Sequence, residues 1–233
     1  MDVGRYAGVV DRLANSDEKL LLEGRLLLID TCGATAGVAL CVGSKVVASE
    51  DLAPGNASGQ ILVVVRTLLL QVGWKLEELN AVGVVSGPGS FTGMRAGLAT
   101  AKGLCEAAGL RMVAVSRLEV LVHASGLDDC YAALDAGRGE LYVRDGSDGR
   151  EWLAAMEDIE SFGGKKTLVV AEMKVAEKLK GYEPIVRPLS VADSLGVVLR
   201  QMHGRPDMSL VDANYVRDER DIYRRPPSMP GKL

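Results

Sequence analysis

The chain has 233 residues, of which 48% are hydrophobic and 25% charged, with a formal net charge of −4. These proportions suit one large or two small globular domains and exclude disorder over most of the length. The acidic balance excludes a global basic field for nucleic acid, and an aromatic content of 4% excludes a broad stacking platform for bases.

Residues 1–24 read as a weak amphipathic helix with Val3, Tyr6, Val10 and Leu13 near one face. A functional arm, an accessory helix and a start codon placed too early all fit that stretch. Leu26–Asp30 is a buried-strand run ending in a carboxylate, and Ala36–Val42 is a second strand. Gly43-Ser44 then makes a two-residue hairpin turn into a third strand, Lys45–Ala48. A helix runs from about Ser58, as cap, to Trp74. At 100° steps Ile61, Leu62, Val64, Val65, Leu68, Leu69 and Val72 fill one broad arc, while Val63, Leu70 and Trp74 make a second apolar stripe beside Arg66 and Thr67. A helix over a single core does not need that second stripe, which therefore predicts another helix packed on it.

Ala81–Val85 is a strand running into Gly87-Pro88-Gly89-Ser90-Phe91-Thr92-Gly93, followed by a helix over Met94–Ala108. Met94, Gly97, Leu98, Ala101, Leu104 and Cys105 form its core side. Ala96, Ala99, Gly103 and Ala107 form a smooth side that admits a second helix closely. Met112–Val115 is a strand, Leu118–Ala124 a short helix and Gly126–Asp129 a link. The second half opens with a strand at Tyr131–Leu134 ending in Asp135, a return strand at Glu140–Arg144 and a polar turn at Asp145–Gly149. A strand at Thr167–Ala171, helices at Glu172–Lys180 and Val191–Met202, and a short strand at Val211–Val216 follow. The tail 224–233 reads as disordered. Each half opens with a strand, a terminal Asp and a return strand, which predicts an α/β chain whose second half is short and degenerate.

The Gly87–Gly93 loop carries the strongest chemical signal. Its glycines permit positive φ and close backbone approach, and amides at the start of the following helix, capped by Ser90 or Thr92, suit an anion such as phosphate. A tight strand-to-helix connection explains the same residues, and the spacing is that of neither common nucleotide loop. Asp30 and Thr31 end the first strand where α/β sheets place ligands, and Asp135 mirrors Asp30. Two carboxylates facing a cleft suit Mg²⁺-phosphate, and each equally suits a turn cap. Cys32, Cys41, Cys105 and Cys130 form no C-x-x-C, and His123 and His203 form no metal or nucleophile motif. No metal site is expected. The longest apolar stretch, Ile61–Leu70, is interrupted and too short to span a bilayer, so a cytoplasmic location without a membrane is expected.

Leu28-Ile29-Asp30-Thr31, the block from Ser86 to Leu98 and Val115-Ser116 strongly resemble the TsaB (YeaZ) family of tRNA threonylcarbamoyladenosine synthesis. Ala133–Tyr142 resembles its second-half motif and Ala213–Arg217 its closing segment, so the likeness covers about residues 26–220. In place of the usual His-Ser/Thr-Glu/Gln before the first long helix stands Ala57-Ser58-Gly59. The resemblance implies an actin/Hsp70-like (ASKHA, ribonuclease H-like) α/β fold of two subdomains. They would occupy residues 25–125, with the Gly-rich loop and partner-binding helices, and 126–223, the smaller one, between the extension 1–24 and the tail. It further implies a non-catalytic scaffold that binds and activates the catalytic paralogue TsaD, joined by the ATPase TsaE, in modifying ANN-decoding tRNAs. No intrinsic cofactor is implied, with ATP or ADP at the partner interface. The chain alone would form a homodimer and meet tRNA only through the complex.

On this reading Asp30, Thr31, Gly87, Pro88, Gly89, Ser90, Phe91, Thr92, Gly93, Arg95 and Asp135 are the nucleotide or phosphate-loop candidates. Val63, Arg66, Leu70, Trp74, Ala96, Ala99, Gly103 and Ala107 are the partner interface. The alternative is an active ATP-dependent or glycoprotease-type enzyme of the same fold.

Overall fold

The computed structural model describes residues 23–53, 57–161, 166–179, 182–202, 212–214 and 216. All but the end of the expected N-terminal helix lies outside these residues, as does the tail 224–233, and Ser58, expected as a cap, falls within the helix that begins at Ala57. The first half runs β1 (Arg25–Asp30), β2 (Ala36–Val42), β3 (Lys45–Leu52), α1 (Ala57–Val72), β4 (Ala81–Val85), α2 (Phe91–Ala108), β5 (Arg111–Val115) and α3 (Arg117–Ser125). The second runs β6 (Cys130–Gly137), β7 (Glu140–Asp145), β8 (Glu151–Ala155), a 3₁₀ turn (Met156–Ser161), β9 (Thr167–Val170), α4 (Met173–Lys178), β10 (Ile185–Val186), a 3₁₀ turn (Val191–Ser194) and α5 (Leu195–Gln201).

Each half makes one five-stranded sheet, ordered β3-β2-β1-β4-β5 and β10-β9-β6-β7-β8. The second order is the first repeated, with β6 standing for β1 and β9 for β4. In both, the first three strands are antiparallel and the next two join in parallel. Parallel neighbours need crossovers, and helices supply them in the first half. Between β8 and β9 the described residues form a 3₁₀ turn of 6 residues where α1, of 16, crosses in the first half. Likewise α4 has 6 residues where α2 has 18. The second half is thus short in its crossovers and complete in its sheet.

Side-chain alternation along β1 sends Leu26 and Leu28 to one face and Leu27 and Ile29 to the other. The first pair joins Leu118 and Leu121 of α3, Ala132 and Leu134 of β6 and Val197 and Val198 of α5 in a core shared by both sheets. The second pair packs under α1 and α2. A third core, with Ala133, Val143 and Val175, covers the other face of the second sheet. Strands covered on both faces read as continuous apolar runs, which is why β1 lacks polar alternation.

Several expectations are corrected. α1 stops at Val72, because Gly73 turns to φ 70°, so Trp74 lies beyond the helix. Leu62, placed on the buried arc, is 58% exposed. The third strand extends to Leu52, and β8 and β10 appear where no strand was read. The helix expected over Val191–Met202 begins as a 3₁₀ turn. The helix expected over Glu172–Lys180 is only Met173–Lys178. Asp212–Asn214 and Val216 belong to no strand.

α5 lies flush on the first sheet because β4 carries Gly83 there. An added Cβ would stand 2.7 Å from both Leu28 Cδ2 and Val198 Cγ2. Gly83→Val is expected to cost about 1–3 kcal/mol in urea unfolding. Unchanged stability would contradict this packing of α5.

Candidate functional site

Four segments of the first half converge at the carboxyl ends of its central strands: the β1–β2 turn, the loop after β4, the start of α2 and the start of α3. Asp30 ends β1 and is buried. Its Oδ1 accepts the Cys32 amide at 2.8 Å, a tight turn that throws the Thr31 and Cys32 carbonyls toward the Gly-rich loop. Burial pushes the Asp30 carboxyl up, against the pull of the Arg117 charge and the Cys32 amide.

The loop is built around those two carbonyls. A Cβ on Gly89 would collide with the Cys32 carbonyl, and one on Gly93 with the Thr31 carbonyl. On Gly97 it would meet Thr31 Oγ1. The hydroxyl of Thr31 donates to Gly93 O at 2.6 Å, and the Ser90 amide donates to Cys32 O at 2.9 Å. The Ser90 side chain caps α2 by accepting from the Gly93 amide at 3.2 Å. Gly87 takes φ 114°, and a Cβ there would strike Met94 Sδ. Three glycines are therefore required by the chain's own strand end, and the amides of Ser90 and Gly93 are engaged within the chain. Of the remaining loop candidates, Pro88 is buried and Thr92 exposed. Phe91 is 50% exposed beneath the Arg95 guanidinium, 3.9 Å from its ring centre.

Asp135, the mirror of Asp30, sits differently. Its Oδ1 accepts the Gly137 amide at 2.8 Å, and its Oδ2 faces Lys178 at 3.3 Å and Lys174 at 3.9 Å. Burial pushes its carboxyl up, but the Gly137 bond and the two lysines outweigh this and hold it below the usual carboxylate range. One carboxylate is thus driven up by burial and the other held down by neighbours.

Two residues outside the candidate set, Arg117 and Ser116, join the halves here. Arg117 opens α3 and is buried, with one bond from Nη2 to Glu172 Oε1 at 2.9 Å. Ser116, beside it, donates to Glu151 Oε1 at 2.5 Å. Glu151 also takes Arg144 at 2.8 Å and Asn214 at 2.8 Å. Nothing in a lone Arg at a helix start marks a partner 55 residues away. His123 meets Arg200 through its Nδ1 at 2.8 Å. A cavity of about 200 Å³ lined by Tyr131, Ile159, Lys166 and Tyr182 touches none of the sequence candidates. Among the described residues no cluster of three metal-ligating side chains occurs and no helix is long and apolar enough to cross a membrane.

The expected interface residues lie on the outer faces of α1 and α2, which touch each other on the outer face of the first sheet. Val63 and Leu70 are 64% and 69% exposed, with Leu62, Arg66 and Thr67 exposed beside them. Ala99, Gly103 and Ala107 are exposed on α2, and a Cβ on Gly103 would meet nothing within 4 Å. Ala96 is half-buried, and half-buried Trp74 packs on the core beneath Arg25, whose guanidinium stands 4.8 Å from its ring centre. Neither continues the exposed stripe.

Comparison with known proteins adds three findings. The TsaD family model, tRNA N6-adenosine threonylcarbamoyltransferase, matches residues 47–182. The tRNA threonylcarbamoyladenosine biosynthesis protein TsaB of Escherichia coli (strain K12) is 38% identical over 122 residues, 51% of this chain and 53% of that protein. Its Bacillus subtilis (strain 168) namesake is 34% identical over 123 residues, again 51% and 53%. The chain spans about half the length of the curated relatives it matches. Among solved structures, a Pseudomonas aeruginosa protein described as uncharacterized with similarity to peptidase YeaZ superposes with a TM-score of 0.68 at 22% identity, over 83% of this chain and 100% of that one. YeaZ from the same species gives 0.62 at 24%, over 76% and 91%. The ethanolamine utilization protein EutJ from Carboxydothermus hydrogenoformans gives 0.51 at 16%, over 78% and 94%. At these identities the likeness shows the fold, an actin/Hsp70-like pair of sheets.

The two kinds of glycine in α2 separate in a melting experiment. Gly93→Ala is expected to destabilise because backbone must move, whereas Gly103→Ala should stabilise by about 0.5–1 kcal/mol through helix propensity alone. Equal effects of the two would contradict the dovetail of the β1 end into the loop.

Proposed function

Because the chain belongs to the TsaB/YeaZ branch of the tRNA N6-adenosine threonylcarbamoyltransferase family, we propose that it is a partner-binding subunit of tRNA threonylcarbamoyladenosine synthesis. On this reading it performs no chemistry of its own. Its partner is the catalytic TsaD paralogue, joined by the TsaE ATPase, and tRNA is met through the complex. The net charge of −4 leaves phosphate contact to those partners. ATP or ADP, when present, sits at the partner interface.

The observation that carries the proposal is the outer face of α1 and α2. Leu62, Val63 and Leu70 stand in water on α1, next to the shallow Ala99, Gly103 and Ala107 surface of α2. Small residues let a second helix approach closely, and the exposed apolar side chains give that approach its driving force. The same face would serve the homodimer of the isolated chain, so dimer and hetero-complex compete for it.

Light scattering on size-exclusion fractions tests this with the TsaD paralogue of the same genome. The chain should form a discrete hetero-complex. Leu70→Glu should weaken it at least tenfold, about 1.4 kcal/mol, while moving the unfolding free energy by no more than about 0.5 kcal/mol, as for an ordinary surface change. Unaltered binding by the variant would overturn the assignment of this face.

A further inference from the structure

Adjacent residues at the start of α3 each take a carboxylate from the second half, and the two contacts differ in kind. Glu151 has both oxygens engaged: Oε1 takes Ser116 and Arg144, and Oε2 takes Asn214. Glu172 does not. Its Oε1 takes Arg117 Nη2 at 2.9 Å, while Glu172 Oε2 and Arg117 Nε are buried without a hydrogen-bond partner among the described residues. We propose that the Arg117–Glu172 pair is a releasable clasp between the two halves, and that its release admits solvent to the buried end of β1 while the Glu151 contact holds.

The energetic case rests on what the closed state leaves unmade. An arginine and a carboxylate reach full strength through two parallel bonds, and this pair makes one. Two buried polar atoms without partners raise the free energy of the closed state, and water satisfies both on opening. The clasp is therefore the weaker of the two contacts and the first to open.

The seat of Arg117 belongs to the first half. Gly33 leaves room for the guanidinium: a Cβ there would lie 2.6 Å from Nη2. The Arg117 amide donates to Gly87 O at 2.6 Å, and the Asp30 carboxylate acts on its charge from the same side. On release Arg117 stays with the first half, and the Glu172 carboxylate swings away at the start of α4. A guanidinium seated against Gly33 then faces the opened space, available to an anionic group that Glu172 otherwise excludes.

Cys32 reports the opening. It is 3% exposed, two residues beyond Asp30, with its thiol donating to Val85 O at 3.1 Å. Cys41, opposite Leu26 at the far end of β1, and Cys105, in the core under α1 and α2, are buried away from the clasp and serve as internal controls. The full chain is treated with iodoacetamide and each cysteine followed by peptide mass spectrometry. In Glu172→Gln the Cys32 rate should rise at least tenfold, with Cys41 and Cys105 at wild-type rates. Glu172→Asp, one methylene shorter with its charge kept, should give a smaller rise at Cys32 alone and serves if the first variant does not fold. An unchanged Cys32 rate, or an equal rise at all three cysteines, would overturn the proposal.

Discussion

The entry of the Thr31 and Cys32 carbonyls into the Gly-rich loop is the contact on which the rest of the molecule depends. Strand β1 is central to its sheet, so its end must turn sharply away from the parallel strand β4. Asp30 makes that turn, and the glycines at 89, 93 and 97 accept what it thrusts outward. The Cys32 carbonyl accepts the Ser90 amide there and the Thr31 hydroxyl donates to the Gly93 carbonyl, which removes the cost of burying those groups unpaired. The start of α2 is thereby set against β1, and with it the direction of the whole helix. Since α1 packs beside α2, the outward face proposed for partner binding follows from a few backbone contacts at the opposite side of the same helix.

The two halves repeat one strand order and spend it differently. Long crossover helices cover the first sheet and leave a broad outer face. The second sheet has a short turn and a six-residue helix in those places, so among the described residues it offers no comparable helical face. Instead it reaches across with two carboxylates, Glu151 and Glu172, to adjacent residues of α3. The shared apolar core fixes the sheets to each other, and these two contacts close the polar end of that junction. Mirror positions have diverged accordingly: Asp30 is buried beside an arginine, whereas Asp135 is held by lysines near the surface.

Much of this was legible in the sequence, for definable reasons. β2 and β4 were bounded correctly because buried strands flanked by turn residues leave continuous apolar runs. The Ser90 cap was readable from its place before a helical run. The Leu62 assignment failed because seven apolar residues drawn on a wheel make too wide an arc, and the sheet covers only its middle. Trp74 was misplaced because Gly73 ends the helix by turning left-handed, which spacing alone does not reveal. Strand β8 carries no strict alternation, with Trp152 and Leu153 both half-buried, and so gave no period. The Gly-rich loop was recognised, but its ligand is in large part the chain itself. That depends on which backbone lies opposite, as does the Arg117–Glu172 pair, and neither is encoded in local spacing.

The account turns on which surface meets the partner. Hydroxyl-radical footprinting of the chain, alone and with its TsaD paralogue, reads this side chain by side chain. The account predicts protection of Leu62, Val63 and Leu70 on α1 and of Ala99 and Ala107 on α2, with Ile185 and Met173 of the second half labelled as before. Protection confined to the second half, with the α1 residues labelled at their free rates, would contradict it.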